Sequence, residues 1–317
     1  MVRVAAIDCG TNSIRLLVAD ATRRDDGSFS LRDVHREMRI VRLGEGVDAT
    51  GRLSVAALTR TRHALADYAV IVRRKGSERV RMVATSATRD AANRDEFFAM
   101  TLDVLGVEAE VISGDEEARL SFTGAVGDLE PDDGPFVVTD IGGGSTELVV
   151  GTWDGARATV KAARSVDIGC VRITERCLRG DPPNADEIAA ARDLAGRVLA
   201  DAFAVVPVPD ARTWVGVAGT ITTLSAVAQG LSEYDATRTH LSRLSDAEIG
   251  ATADRLLAAS HGERAANRAI HAGRVDVIGG GALITQVLAE QLRERAGITE
   301  LLVSEHDILD GIALSQL

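Results

Sequence analysis

Residues 139–147 read TDIGGGSTE, and residues 7–13 read IDCGTNS. Each is an Asp-x-Gly-x-x-Ser turn between apolar, β-branched runs, the pattern of a strand, a tight turn and a second strand. Registered on their aspartates, the two stretches match Asp8 with Asp140, Gly10 with Gly142, Ser13 with Ser145 and Arg15 with Glu147. The repeat predicts a duplicated α/β unit whose ligand loops face one cleft.

The segments around the two hairpins fit that plan. Gly27 falls in a polar turn, and LRDVHREMRIVRL (31–43) supplies a further strand region. Leu58, Leu65, Tyr68 and Val72 recur at near-helical spacing, which predicts a helix over 55–75. RVRMVATSAT (79–88) reads as a strand ending in a small-residue loop, and AEVISGDEEARLSFTGAVG (109–127) as strand, turn and helix. The DLEPDDGP stretch at 128–135 marks a domain boundary, after which the pattern restarts. Helices are expected near 186–204 and 246–259. WVGVAGTITTL (214–224) and VDVIGGGALI (275–284) read as short strands entering small-residue loops and then helices. The expected domains are 1–125 and 126–299, with a C-terminal segment, 300–317, returning to the first.

Composition narrows the function. With 317 residues and 45% hydrophobic content the chain can bury two cores. No apolar run reaches the roughly 18–20 residues that cross a bilayer, and the N-terminal residues carry no secretory cleavage pattern, so a cytoplasmic protein with no membrane partner is expected. Cys9, Cys170 and Cys177 lack the spacing of a disulfide framework or zinc site, and Cys9 reads as a small buried residue rather than a nucleophile. A net charge of −11 argues against broad nucleic-acid binding. A polyanion would need local cations, for which Arg39, Arg42, Arg89, Lys161 and Arg164 are candidates beside the plainer reading of solvated surface charge.

Glycines let successive backbone N–H groups converge on phosphoryl oxygens, and Ser, Thr or Asn side chains can add donors. Gly10, Thr11, Asn12 and Ser13 form one such cradle, and Gly143, Gly144 and Ser145 the second. GVAGT, with Gly219 and Thr220, and IGGG at 278–281 add to the same signal. A single loop of this kind is also what a plain hairpin turn requires. There is no Walker A or dinucleotide fingerprint.

Asp140 and Glu147, at the two edges of the second loop, could hold Mg²⁺, with Mn²⁺ as the other candidate; alternatively Asp140 only ties down the loop amides. In SGDEEARL, Ser113 as helix cap would put Glu116 at the position that closes a capping box. Glu117 is rotated by about 100° from it and becomes the better general base. The six histidines form no HExxH or HxH cluster, and His240 reads as a surface or supporting residue.

IDCGTNSIRLLVAD, ATSATRDAAN, VISGDEEARLSFTGA, VVTDIGGGSTELVV and SVDIGCVRITE, in this order, resemble the exopolyphosphatase and guanosine pentaphosphate phosphatase family. The resemblance runs from Val4 to about Leu314 and is weakest between about 182 and 275. It implies an α/β fold of two ribonuclease-H-like, actin-like ATPase domains with a ligand cleft between them. The activity it implies is metal-dependent hydrolysis of a terminal phosphoanhydride. By position, Glu117 resembles the family's catalytic glutamate, Asp140 and Glu147 its metal-associated acids, and Arg89 its phosphate-binding arginine. Asp8, Arg15 and Glu116 are further candidates. Two departures stand out: the chain ends near the close of the second domain, which favours short polyphosphate chains, and IGGGA replaces an AGA-type segment. The expected substrate is inorganic polyphosphate, with pppGpp the alternative, and the expected assembly a homodimer. An ATP-dependent small-molecule kinase of the same superfamily and a nucleotide-gated scaffold are the rival classes.

Overall fold

A computed structural model describes residues 1–24 and 28–317; the turn expected at Gly27 lies outside the described residues. The chain divides into two units, Met1–Gly127 with Asp154–Ala158 and Asp307–Leu317, and Asp128–Trp153 with Thr159–His306.

In the first unit, β1 (Val2–Cys9), β2 (Ser13–Arg23), β3 (Phe29–Ile40), β4 (Arg79–Ala84) and β5 (Glu110–Val111) form one sheet in the order β3-β2-β1-β4-β5. β1 runs antiparallel to β2 and parallel to β4. After the short α1 (Val47–Thr50), α2 spans Val55–Lys75. Ser54 accepts a hydrogen bond from Ala57 N–H at its start, and Gly76, at φ 69°, closes its end in the left-handed region. Leu65, Tyr68 and Val72 are buried against the sheet and Leu58 packs at the margin, which is the helical stripe the spacing predicts. The segment after β4, expected as a loop, winds into α3 (Ser86–Asp90), followed by α4 (Arg94–Leu105) and α5 (Gly114–Ala125).

The second unit repeats the order. β6 (Phe136–Ile141), β7 (Thr146–Trp153), β8 (Ala158–Val166), β9 (Thr213–Val217), β10 (Arg243–Ser245) and β11 (Glu300–Val303) pair as β10-β11-β9-β6-β7-β8. Read from the other edge this is again third, second, first, fourth and fifth strand, with β10 added outside. β6 is buried along its whole length, as a central strand bonded on both edges should be. Both sheets therefore have the ribonuclease-H-like arrangement. The helices are α6 (Cys170–Cys177), α7 (Ala185–Val205), α8 (Ala218–Ala228), α9 (Ala236–Thr239), α10 (Asp246–Ala258), α11 (His261–Ala266) and α12 (Ile278–Ala296). α13 (Ile308–Leu314) belongs to the first unit.

Three expectations need correction. VDVIGGGALI is not a strand and loop: its glycines lie in the first turn of α12, fully buried. Cβ atoms there would stand 2.5 Å from Thr174 Oγ1 at Gly280 and 2.5 Å from Thr220 Cγ2 at Gly281, so these glycines allow helices to approach and are not a phosphate loop. GVAGT likewise has no loop; α8 starts directly at Ala218, which takes the left-handed φ of 67°. The C-terminal return begins at Asp307 and not at 300, because Leu301–Val303 are bonded in parallel register to Trp214–Gly216 in the second sheet.

Candidate active site

The two hairpins are built alike. Gly10 N–H donates to Ser13 O at 3.0 Å, and Gly142 N–H donates to Ser145 O at 3.0 Å. In each unit the segment after the third strand then takes the turn's carbonyls. Val41 and Arg42 N–H donate to Asn12 O, and Gly44 N–H to Thr11 O at 2.8 Å; Cys170 N–H donates to Gly142 O, and Val171 and Arg172 N–H to Gly143 O, at 2.9–3.1 Å. Close approach requires a glycine on each support, since a Cβ at Gly44 would overlap Thr11 and one at Gly169 would overlap the Gly143 backbone. Across a planar trans peptide the carbonyl and the following N–H point opposite ways. Holding these carbonyls from one side therefore turns the N–H groups of Asn12 and Ser13, and of Gly143 and Gly144, to the other.

What the hairpins carry differs. Asp8 stands opposite Arg15, and Asp140 opposite Glu147. In an antiparallel pair, opposed residues share a face of the sheet. The first pair is an ion pair: Arg15 donates to Asp8 Oδ2 from Nε at 2.9 Å and from Nη2 at 2.7 Å, and also to Asp307. Asp8 Oδ1 is buried and has no hydrogen-bond partner among the described residues. Burial pushes the Asp8 carboxyl up against the pull of Arg15. Although burial opposes it, Arg15, the Leu309 N–H and Arg36 hold the Asp307 carboxyl below its ordinary value. The second pair is two carboxylates, 6% and 1% exposed, with Ser165 Oγ donating to Glu147 Oε1 at 2.7 Å. An all-oxygen set of this kind fits a hard divalent cation.

Glu117 and Arg89 come together: Arg89 Nη1 donates to Glu117 Oε2 at 3.2 Å and to Ile112 O at 3.1 Å. Glu117 is 7% exposed, largely withdrawn from solvent. Ser113 caps α5 through Glu116 N–H at 3.2 Å, but the capping box does not close, because Glu116 Oε1 accepts from Arg81 Nη2 at 2.7 Å. A charge-assisted bond to a guanidinium outcompetes a neutral amide.

The other candidates separate. Thr11 Oγ1 is engaged with Ser86 Oγ at 2.9 Å, so its side chain is held by the protein while its backbone forms the turn. Thr220 is buried. Gly219 lies under a guanidinium that the sequence did not point to, since a Cβ there would overlap Arg274, whose Nη1 also donates to Thr223 Oγ1 at 3.3 Å. Arg39 pairs with Glu37 and Asp67, and Lys161 with Asp210, as surface charges do. Cys9 is buried, which pushes its thiol far up and out of reach of nucleophilic use.

Among the described residues one group of three metal-ligating side chains assembles, Asp128, His240 and His306. No motif announces it, because each member comes from a different part of the sequence. No helix is long and apolar enough to cross a membrane, among the described residues.

A model of the Ppx/GppA phosphatase family matches residues 21–316. Exopolyphosphatase 2 of Mycobacterium tuberculosis is 58% identical over 99% of this chain and 98% of its own. The crystal structure of an exopolyphosphatase-like protein, 43% identical, superimposes with a TM-score of 0.93 over 99% of this chain and 98% of that one. The Ppx/GppA family member of Aquifex aeolicus, 32% identical, gives 0.79 over 99% and 97%. The chain belongs to the Ppx/GppA phosphatase family, a family of hydrolytic enzymes.

Proposed function

We propose that this enzyme is an exopolyphosphatase that removes terminal phosphate from inorganic polyphosphate by attack of water. The observation that carries the reading is the pair of equivalent hairpins, each with its carbonyls held back and its amides presented, in a chain 58% identical to a protein named exopolyphosphatase. In this reading Glu117 takes the proton from the attacking water, and Arg89, fixed by Ile112 O, holds Glu117 and meets a phosphoryl oxygen. The Gly10–Ser13 loop binds phosphoryl oxygens through the amides of Asn12 and Ser13, and the Gly143–Ser145 loop through those of Gly143 and Gly144, with Gly219, Thr220 and the adjacent Arg274 as further phosphate contacts. Asp140 and Glu147 would hold Mg²⁺, or Mn²⁺ in its place. Bound there, the ion would supply charge against the phosphoryl oxygens. The protein is assigned to the cytoplasm, as a homodimer with no nucleic-acid partner; light scattering on the purified protein tests the dimer.

Family membership weighs against a kinase. The test is orthophosphate release from polyphosphates of several lengths, pppGpp, and ATP with and without sugar acceptors, each with and without Mg²⁺. Mg²⁺-dependent release from polyphosphate is expected. Faster turnover of pppGpp would replace the substrate, and faster transfer from ATP to an acceptor would overturn the hydrolase assignment.

A further inference from the structure

The geometry points to a second metal site in this protein, taking a transition-metal dication of the zinc class and separate from the acid pair of the second hairpin. Asp128 Oδ2 lies 3.3 Å from His240 Nε2 and 3.1 Å from His306 Nδ1. The three ligand atoms are all within 4.8 Å of one another. Tetrahedral zinc with bonds of about 2.0–2.1 Å spaces its ligand atoms about 3.3 Å apart, so both measured separations match edges of that polyhedron. The imidazoles are stacked, with centroids 5.0 Å apart and planes 23° from parallel, and a nitrogen of each lies within ion-pair distance of the same carboxylate oxygen.

Ligand chemistry separates this group from Mg²⁺. Two imidazoles and one carboxylate suit Zn²⁺, Co²⁺ or Ni²⁺, whereas Mg²⁺ asks for near-octahedral oxygen and keeps its waters. The three side chains are partly exposed, at 44%, 25% and 39%, which leaves an open position for a solvent ligand. His240 Nδ1 accepts the Glu305 N–H at 3.2 Å, so the resting ring carries its proton on Nε2. Metal capture moves that proton to Nδ1 and gives up the amide bond, which sets the affinity below that of a closed structural zinc site.

Position gives the site a purpose. Asp128 and His306 are the first and last residues of the second unit, and His240 follows α9 within it. An ion held by all three ties the unit's entry and exit segments to its interior. Ligands that bind only the folded form stabilise it by mass action.

The test uses the full chain, stripped with chelator, in phosphate-free buffer. Calorimetric titration with Zn²⁺, and with Co²⁺ followed by its visible absorption, should show one saturable site at micromolar concentration or below, indifferent to millimolar Mg²⁺. Saturating Zn²⁺ should raise the Tm by about 3–8 °C. Loss even of a residue that supports a ligand costs about 10–100-fold in metal affinity. His306→Ala and Asp128→Asn should therefore each weaken binding at least about tenfold and abolish the Tm rise, with circular dichroism confirming the fold; His306→Gln serves if the alanine variant does not fold. Binding unchanged in the variants, displacement by Mg²⁺, or no saturable binding below about 100 μM would overturn the proposal.

Discussion

The two adjacent glutamates of α5 show how one residue step divides structure from chemistry. Glu116 is tied to Arg81 at the surface, while Glu117 is buried against Arg89. Glu117→Gln keeps the volume and a hydrogen bond to Arg89 but cannot accept a proton from water. Turnover on polyphosphate should fall by about 10²–10⁴-fold, with stability changed by no more than about 1 kcal/mol. Glu116→Ala removes an exposed pair worth about 0–1 kcal/mol and should leave most activity. Steady-state kinetics and thermal melts on both variants check this; an inactive but folded Glu116→Ala beside an active Glu117→Gln would reverse the roles. Gly219→Ala is a second residue-scale test. Its new Cβ would displace the Arg274 guanidinium, so KM for polyphosphate should rise with little change in Tm. That Asp140 and Glu147 flank the second turn was legible in the sequence, because the turn length sets which strand residues face each other. Arg274 was not, since its relation to Gly219 depends on how α8 and α12 pack.

At the level of elements, α5 and α13 meet at two glycines. A Cβ on Gly124 would overlap Asp307 O, and one on Gly311 would overlap Leu120 O. Gly311→Ala should cost about 1–3 kcal/mol through forced separation of the helices, read from a denaturant midpoint. Asp307 caps α13 through Leu309 N–H at 3.0 Å and shares Arg15 with Asp8. Asp307→Asn should cost about 2–3 kcal/mol, less than the ~3–5 of a lone buried pair because Arg15 keeps Asp8. The folded Asp307 carboxyl titrates below its ordinary 3.8, so its contribution is present above that value and lost as pH falls below it. The acid limb of the stability curve should accordingly flatten in Asp307→Asn, as measured by melts between pH 3 and 7. Elements with a strong period or a clear cap were readable in the sequence, α2 and α7 above all. α3 and the start of α12 were not, because Ser-Ala-Thr and Gly-Gly-Gly signal loops locally and become helical only where tertiary contacts favour close approach.

On the scale of the molecule, the repeated sheet order follows from the repeated hairpin, and the sequence pattern carried that far. The exact point of C-terminal return could not be read, since in LLVSEHDILDG only the four polar residues 304–307 separate the stretch claimed by β9 from the stretch that packs on α5. The His-Asp-His group was equally hidden, because its members meet only through the fold. A chain truncated after His306 should keep a protease-resistant second unit and lose the first as a cooperative unit. Limited proteolysis and calorimetry would show this as the loss of one transition; two intact transitions would contradict it.

The same division has a temporal side. A ribosome delivers the chain from the N-terminus, and domains generally fold in the order they emerge. Here the residues that begin first finish last. Arg15 and α5 wait for Asp307 and α13, while every strand of the second unit is already available. Until Asp307–Leu317 clear the exit tunnel, Asp8 and Arg15 lack their third partner and the apolar face later covered by α13 is open. The unit assigned the general base is therefore the later of the two to mature.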